Sequence, residues 1–167
     1  MGNIISNIKV NKNIIQMSNG LTSVFVETIC LAGCDIAFEN YQKDLMIWFA
    51  QRDWILTGMG FEGFDISEIN WHKNQFERQK DFIIKVIDSA NNKTNWDLLS
   101  YNPHEMIYKV FKDFKQMIID FKIDNIDEKN QITLLDFNNS VKKYDKCKNH
   151  KIYLNCEGCV ICNVYGK

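Results

Sequence analysis

Two pairs of metal-binding side chains, each pair two residues apart, constrain this chain more than any other feature. Residues 146–167 read KCKNHKIYLNCEGCVICNVYGK. Cys147-x2-His150 is followed, after eight intervening residues, by Cys159-x2-Cys162. Donors at this spacing sit on one tight turn and aim at one point, and two such turns facing each other close a tetrahedral site. Three thiolates and one imidazole suit Zn2+, a borderline-soft ion without redox chemistry. Cys156 is separated from Cys159 by two residues, so the shifted set Cys147, His150, Cys156 and Cys159 is an alternative that leaves Cys162 free. The Cys159/Cys162 pair is preferred because its longer separation closes a hairpin more comfortably. Four protein ligands leave no open position for water, so the expected zinc is structural and not hydrolytic.

The residues between the ligands suit a hairpin. Lys151–Leu154 reads as a short strand leaving the first turn, and Val164–Tyr165 as one leaving the second. Asn163 follows the last ligand, where a left-handed residue is expected and Asn tolerates that geometry. Gly158 gives backbone room before the second pair. Over residues 146–165 this pattern resembles the small zinc ribbons of many unrelated proteins, which are structural staples more often than catalytic centres. So small a module buries little core, and the metal is expected to supply its folding energy.

The rest of the chain reads as a mainly helical (α+β) body over residues 1–144, with the zinc tail at 145–167. Eleven Phe, six Tyr and four Trp within 46% apolar residues are enough to fill a core. Residues 1–20 suggest a strand or two or a loose arm. The run LTSVFVETICLAGCDIAF at 21–38 suits a buried strand or a buried helix, with Val24–Val26, Thr28 and Ile29 favouring strand locally. Residues 40–55 predict a helix with Leu45, Trp48 and Phe49 on one side. The glycine-rich 57–65 predicts a loop, and Asp65 and Glu68 a capping box after it. Phe76, Ile83, Ile87 and Ala90 mark a helix over 73–90. The longest apolar stripe runs from Ile107 to Phe121, with Asn102 as expected N-cap, Pro103 in the first turn and Glu105 completing the box. A polar loop at 122–131 and a shorter helix at 132–144 lead into the tail.

Charge divides along the chain. Residues 141–167 carry six Lys against one Asp and one Glu, so the tail is basic, while residues 1–140 hold 14 basic and 19 acidic residues. An acidic body could meet a basic protein, with Glu62, Asp65 and Glu68 steering it. The basic tail could meet nucleic acid through Lys146, Lys148 and Lys151, helped by Lys142 and Lys143, with Tyr153 stacking on a base.

Other motifs carry less. Gly58-x-Gly60-x-x-Gly63 matches a dinucleotide fingerprint as a string, but a helix precedes it and none follows, so a surface turn is expected. Cys30 and Cys34 read as small buried apolar residues, His104 as an exposed first-turn residue, and the four Trp mainly as core. Gly2 and Ser6 fit a myristoylation string. No run is long and apolar enough for a membrane span, so the default location is the cytoplasm, where six cysteines are metal ligands and reduced thiols. The stretch WFAQRDW…GFDISEINW, two helices and a CxxH…GCxxC tail are similar to small uncharacterised bacterial proteins. Composition and the lack of catalytic motifs also resemble immunity proteins and other inhibitors. The first expectation is therefore a non-enzymatic zinc-containing module that binds another protein, such as a basic toxin or nuclease. The alternatives are a nucleic-acid-associated protein using the tail, and an enzyme with an unrecognised site.

Overall fold

The computed structural model describes residues 3–127 and 144–165. The shorter helix expected at 132–144 lies almost wholly outside them, as do Gly2, Lys142 and Lys143. The architecture is mainly helical with short strands.

The chain opens with an antiparallel pair, β1 (Ile4–Asn7) and β2 (Asn13–Gln16), in the register Ile5 to Ile15 and Ser6 to Ile14. Alternation buries Ile5 and Ile15 and turns Ile14 outward. A parallel strand, β5 (Phe64–Asp65), joins the other side of β1, so the sheet order is β2-β1-β5. A second two-stranded piece pairs β3 (Asp53–Trp54) with β4 (Gly60–Phe61). The glycine-rich segment is thus not only a loop: it contributes β4 and β5. Gly58 (φ 80°) and Gly60 (φ 73°) take left-handed geometry between these pieces, which explains the glycines without a nucleotide.

The ambiguous apolar run is a helix, α1 (Asn19–Ile36). Its local strand preference loses because the run contains no turn signal and is buried almost all round. Ser18 caps it by accepting the Leu21 N–H at 3.2 Å. Helices α2 (Asn40–Ala50), α3 (Phe76–Asn91) and α4 (Met106–Asp120) pack around it. Gly33 lets α2 come close, since a Cβ there would lie 1.8 Å from Met46 Sδ. Phe25, Phe49, Phe64 and Phe114 meet edge-on at the centre, with ring centroids 5.1–6.2 Å apart in the Phe25–Phe114, Phe49–Phe64, Phe49–Phe114 and Phe64–Phe114 pairs. Trp48 and Trp71 are buried as expected, while Trp54 and Trp96 are partly exposed.

Helix α4 begins later than the sequence suggests. Asn102 and Pro103 lie before it. Glu105 occupies the N-cap position without a side-chain cap bond, and the exposed His104 accepts the Met106 N–H through Nδ1 at 3.2 Å. The helix starts where the apolar stripe can reach the core, so burial overrides the stronger local capping signal. Among the described residues no helix is long and apolar enough to cross a membrane.

Candidate metal centre

The first ligand pair sits at the closed end of a small hairpin. Cys147 N–H donates to the Ile152 carbonyl at 2.8 Å, Lys151 N–H to the Cys147 carbonyl at 2.9 Å, and Leu154 N–H to the Asp145 carbonyl at 2.9 Å. The left-handed residue of this turn is Lys151 (φ 59°), directly after His150. Asn163, expected in that role after the second pair, is instead helical. Asn155 and Gly158 (φ 98°) exchange backbone bonds of 3.0 and 3.1 Å in a second tight turn. The second pair then opens a short helix, α5 (Val160–Tyr165), in place of the expected strand. Each pair has one signature: the first Cys of each receives backbone N–H groups from the residues two and three further on. Those donors are Asn149 and His150 for Cys147, and Ile161 and Cys162 for Cys159.

These turns bring the four ligand atoms of Cys147, His150, Cys159 and Cys162 within 4.8 Å of one another. His150 presents Nδ1, which lies 3.7 Å from Cys147 Sγ, 3.5 Å from Cys159 Sγ and 3.4 Å from Cys162 Sγ. Cys147 Sγ and Cys162 Sγ are 3.7 Å apart. Metal bonds of about 2.3 Å to sulfur and about 2.0 Å to nitrogen give tetrahedral edges of about 3.5–3.8 Å. Four of the six spacings, at 3.4–3.7 Å, lie close to that figure, so the four residues could hold a metal ion. Cys156 is exposed and outside the cluster.

The thiols respond to their surroundings in opposite directions. Burial raises Cys147, but the His150 and Asn149 N–H groups and the adjacent thiols outweigh it, and Cys147 lies below the ordinary thiol range. Burial pushes Cys159 up to about 12. His150 is lowered by burial, which favours the neutral imidazole that a metal requires.

The cluster is anchored on the ends of two helices. Lys146 Nζ donates to the Cys34 carbonyl in the last turn of α1 at 2.9 Å, and its charge lies 4.8 Å from the Tyr153 ring centre. Asn155 Nδ2 donates to the carbonyl of Ala50, the last residue of α2, at 2.7 Å. Both carbonyls belong to the set that a helix leaves without an internal partner. Asn163 Nδ2 donates to the buried Asp53 at 2.9 Å, and Tyr153 N–H points at Cys34 Sγ at 3.3 Å. Ile152, Tyr153, Val160 and Ile161 are buried in the same core as the body. Cys30 and Cys34 are buried thiols, with Cys34 pushed up to about 12 by burial.

Family models, curated proteins and solved structures contain no match to this chain.

The remaining sequence-derived residues lie elsewhere. Glu62 is exposed, accepts from Trp54 Nε1 at 3.0 Å and lies 3.8 Å from Arg52. Asp65 is spent on the backbone: it accepts from Ser6 Oγ, Ile8 N–H and Ser67. Burial pushes its carboxyl up, but those donors win and hold it below the usual range. Glu68 accepts the Asp65 N–H at 3.0 Å and completes the expected capping box, on a single 3₁₀ turn. Lys148 and Lys151 are exposed.

One buried group drew no notice in the sequence. Glu27 lies wholly inside, accepts from Tyr101 Oη at 2.5 Å and has no hydrogen-bond partner at Oε1 among the described residues. Burial pushes it up to about 7, against the lowering effect of Tyr101 and with a further push from Asp53. A lone carboxylate within an apolar run was the signal that could have found it.

Proposed function

We propose that this chain is a non-enzymatic protein-binding module whose C-terminal turns are stapled by one structural Zn2+, and that it covers a basic partner as an immunity or inhibitor protein does. The observation that carries this reading is the donor set: Cys147, His150, Cys159 and Cys162 lie within 4.8 Å of one another, and four protein ligands would fill the shell of a tetrahedral ion. Three thiolates with one neutral imidazole favour zinc over harder ions. The acidic balance of the body, with Glu62 exposed, favours a cationic protein surface. The nucleic-acid alternative is weakened because Lys146 already serves Cys34 and Tyr153, leaving Lys148 and Lys151 as the free tail cations of the three.

Purified chain should carry about one zinc per molecule by elemental analysis. Cys159→Ser should lose it and Cys156→Ser should keep it; full retention in Cys159→Ser rejects the ligand set. Affinity capture from the source cell should return one basic protein. Capture of nucleic acid alone, weakening steeply with salt, would replace this reading by the alternative.

A further inference from the structure

The open edge of β2 is the most specific surface outside the metal centre. Met17 N–H donates to the Asn3 carbonyl at 2.9 Å, which makes Asn3 and Met17 a hydrogen-bonded pair. Antiparallel alternation then makes Ile5/Ile15 and Asn7/Asn13 the bonded pairs as well. Ile14 and Gln16 therefore direct their N–H and C=O groups away from β1. Both residues are exposed, and β2 has no neighbouring strand on that side among the described residues. Ile14 is 61% exposed, an apolar side chain on an unprotected edge.

Two hollows flank this edge. One of about 580 Å³ adjoins Gln16 and Met17 and is lined by the apolar Leu21, Val24 and Met106, with Tyr101 among its walls. The other, of about 260 Å³, adjoins Asn13–Ile15 and is lined by Asp113, Gln116 and Met117 of α4. Asp120, one turn beyond Gln116, accepts from Gln116 Nε2 at 2.8 Å and from Asn11 Nδ2 at 3.4 Å beside the strand. The second hollow therefore carries one carboxylate in its lining, Asp113, which pairs with the exposed Lys109 at the surface, and Asp120 lies a turn past Gln116.

We infer that this edge takes an extended segment of a basic partner protein as an added strand. Ile14 and Gln16 supply two donors and two acceptors at the spacing of a β-ladder, which only an extended backbone matches. Residues of the added strand facing the helices alternate, so an apolar side chain enters the hollow at Met106 and a Lys or Arg meets Asp113. The inference rests on the protein-binding reading above and assigns its surface and the chemistry of its ligand.

The test pans a phage-displayed library of random peptides against the zinc-loaded full chain, then follows amide hydrogen exchange with the best synthetic peptide. Enriched sequences should place an apolar residue and a Lys or Arg at alternating positions. Bound peptide should slow exchange at Ile14 and Gln16 about tenfold or more. Ile14→Pro removes a donor that faces away from β1, so the sheet tolerates it, and it should weaken binding about tenfold. Asp113→Lys should weaken basic peptides only, with zinc content unchanged in both variants. Peptides that protect another surface overturn this inference while the protein-binding reading stands; a library that yields no enriched sequence overturns it too. Protection of both amides in the free chain also overturns it: if dependent on concentration it marks a second copy, and if independent it marks a segment of the same chain.

Discussion

The body and the tail reach order by different physics. In the body, Phe25, Phe49, Phe64 and Phe114 are at most 5% exposed, and the apolar stripes of α3 and α4 close on α1. Its stability is spread over many contacts, so single losses are graded. The tail adds Ile152, Tyr153, Val160 and Ile161 to that same core and, beside them, places four donors around one point. Besides that shared core, it is tied to the body by polar bonds to the ends of α1 and α2 and to Asp53 of β3. A spread core weakens by degrees; a concentrated one is lost whole.

The largest test of that contrast is metal removal. Chelation, or Cys159→Ser, should lower unfolding free energy by on the order of 5 kcal/mol and abolish the tail's amide protection while α3 and α4 stay protected. An unchanged melt would break the comparison. In the body, Phe114→Ala should cost about 3–5 kcal/mol in denaturant unfolding yet leave zinc content intact. Loss of zinc in that variant would mean that the two regions are one cooperative unit.

Glu27 sharpens the contrast through pH. Its pKa is about 7 in the folded chain against 4.5 ordinarily. The raised value means that the folded state holds the proton more tightly, so this contribution is whole below about pH 4.5 and is lost as pH rises through 7. Its full size is about 3 kcal/mol. Glu27→Gln should flatten that part of the stability–pH curve, and an unaltered slope would show that Glu27 is not its source. Smaller still, Asn155→Ala should cost about 1–2 kcal/mol and raise exchange near the end of α2. Cys156→Ser should change neither zinc content nor melting, since its thiol stands outside the cluster.

The sequence made the Cys/His cluster legible because the spacing of paired donors is a local property, readable without the fold. The α3 and α4 stripes were legible for the same reason. The strand preference of Val24–Ile29 misled because it is also local, while burial on all sides of α1 is not. Asn163 misled differently: the second turn runs on into α5, and the left-handed position fell to Lys151. Nothing local could show that Lys146, Asn155 and Asn163 would bond Cys34, Ala50 and Asp53, each more than a hundred residues away.

On the zinc reading proposed above, those long-range bonds tie the durability of the chain to its metal supply. The last turns of α1 and α2 borrow hydrogen-bond partners from the turns that carry the Cys/His cluster. Loss of the proposed ion should return the carbonyls of Cys34 and Ala50 to water and fray both helices at that end. Phe38, already 86% exposed just past α1, should then be cut more readily as the backbone around it loosens. Copies without their ion should be nicked there first and cleared, so cellular zinc would set how long each molecule survives.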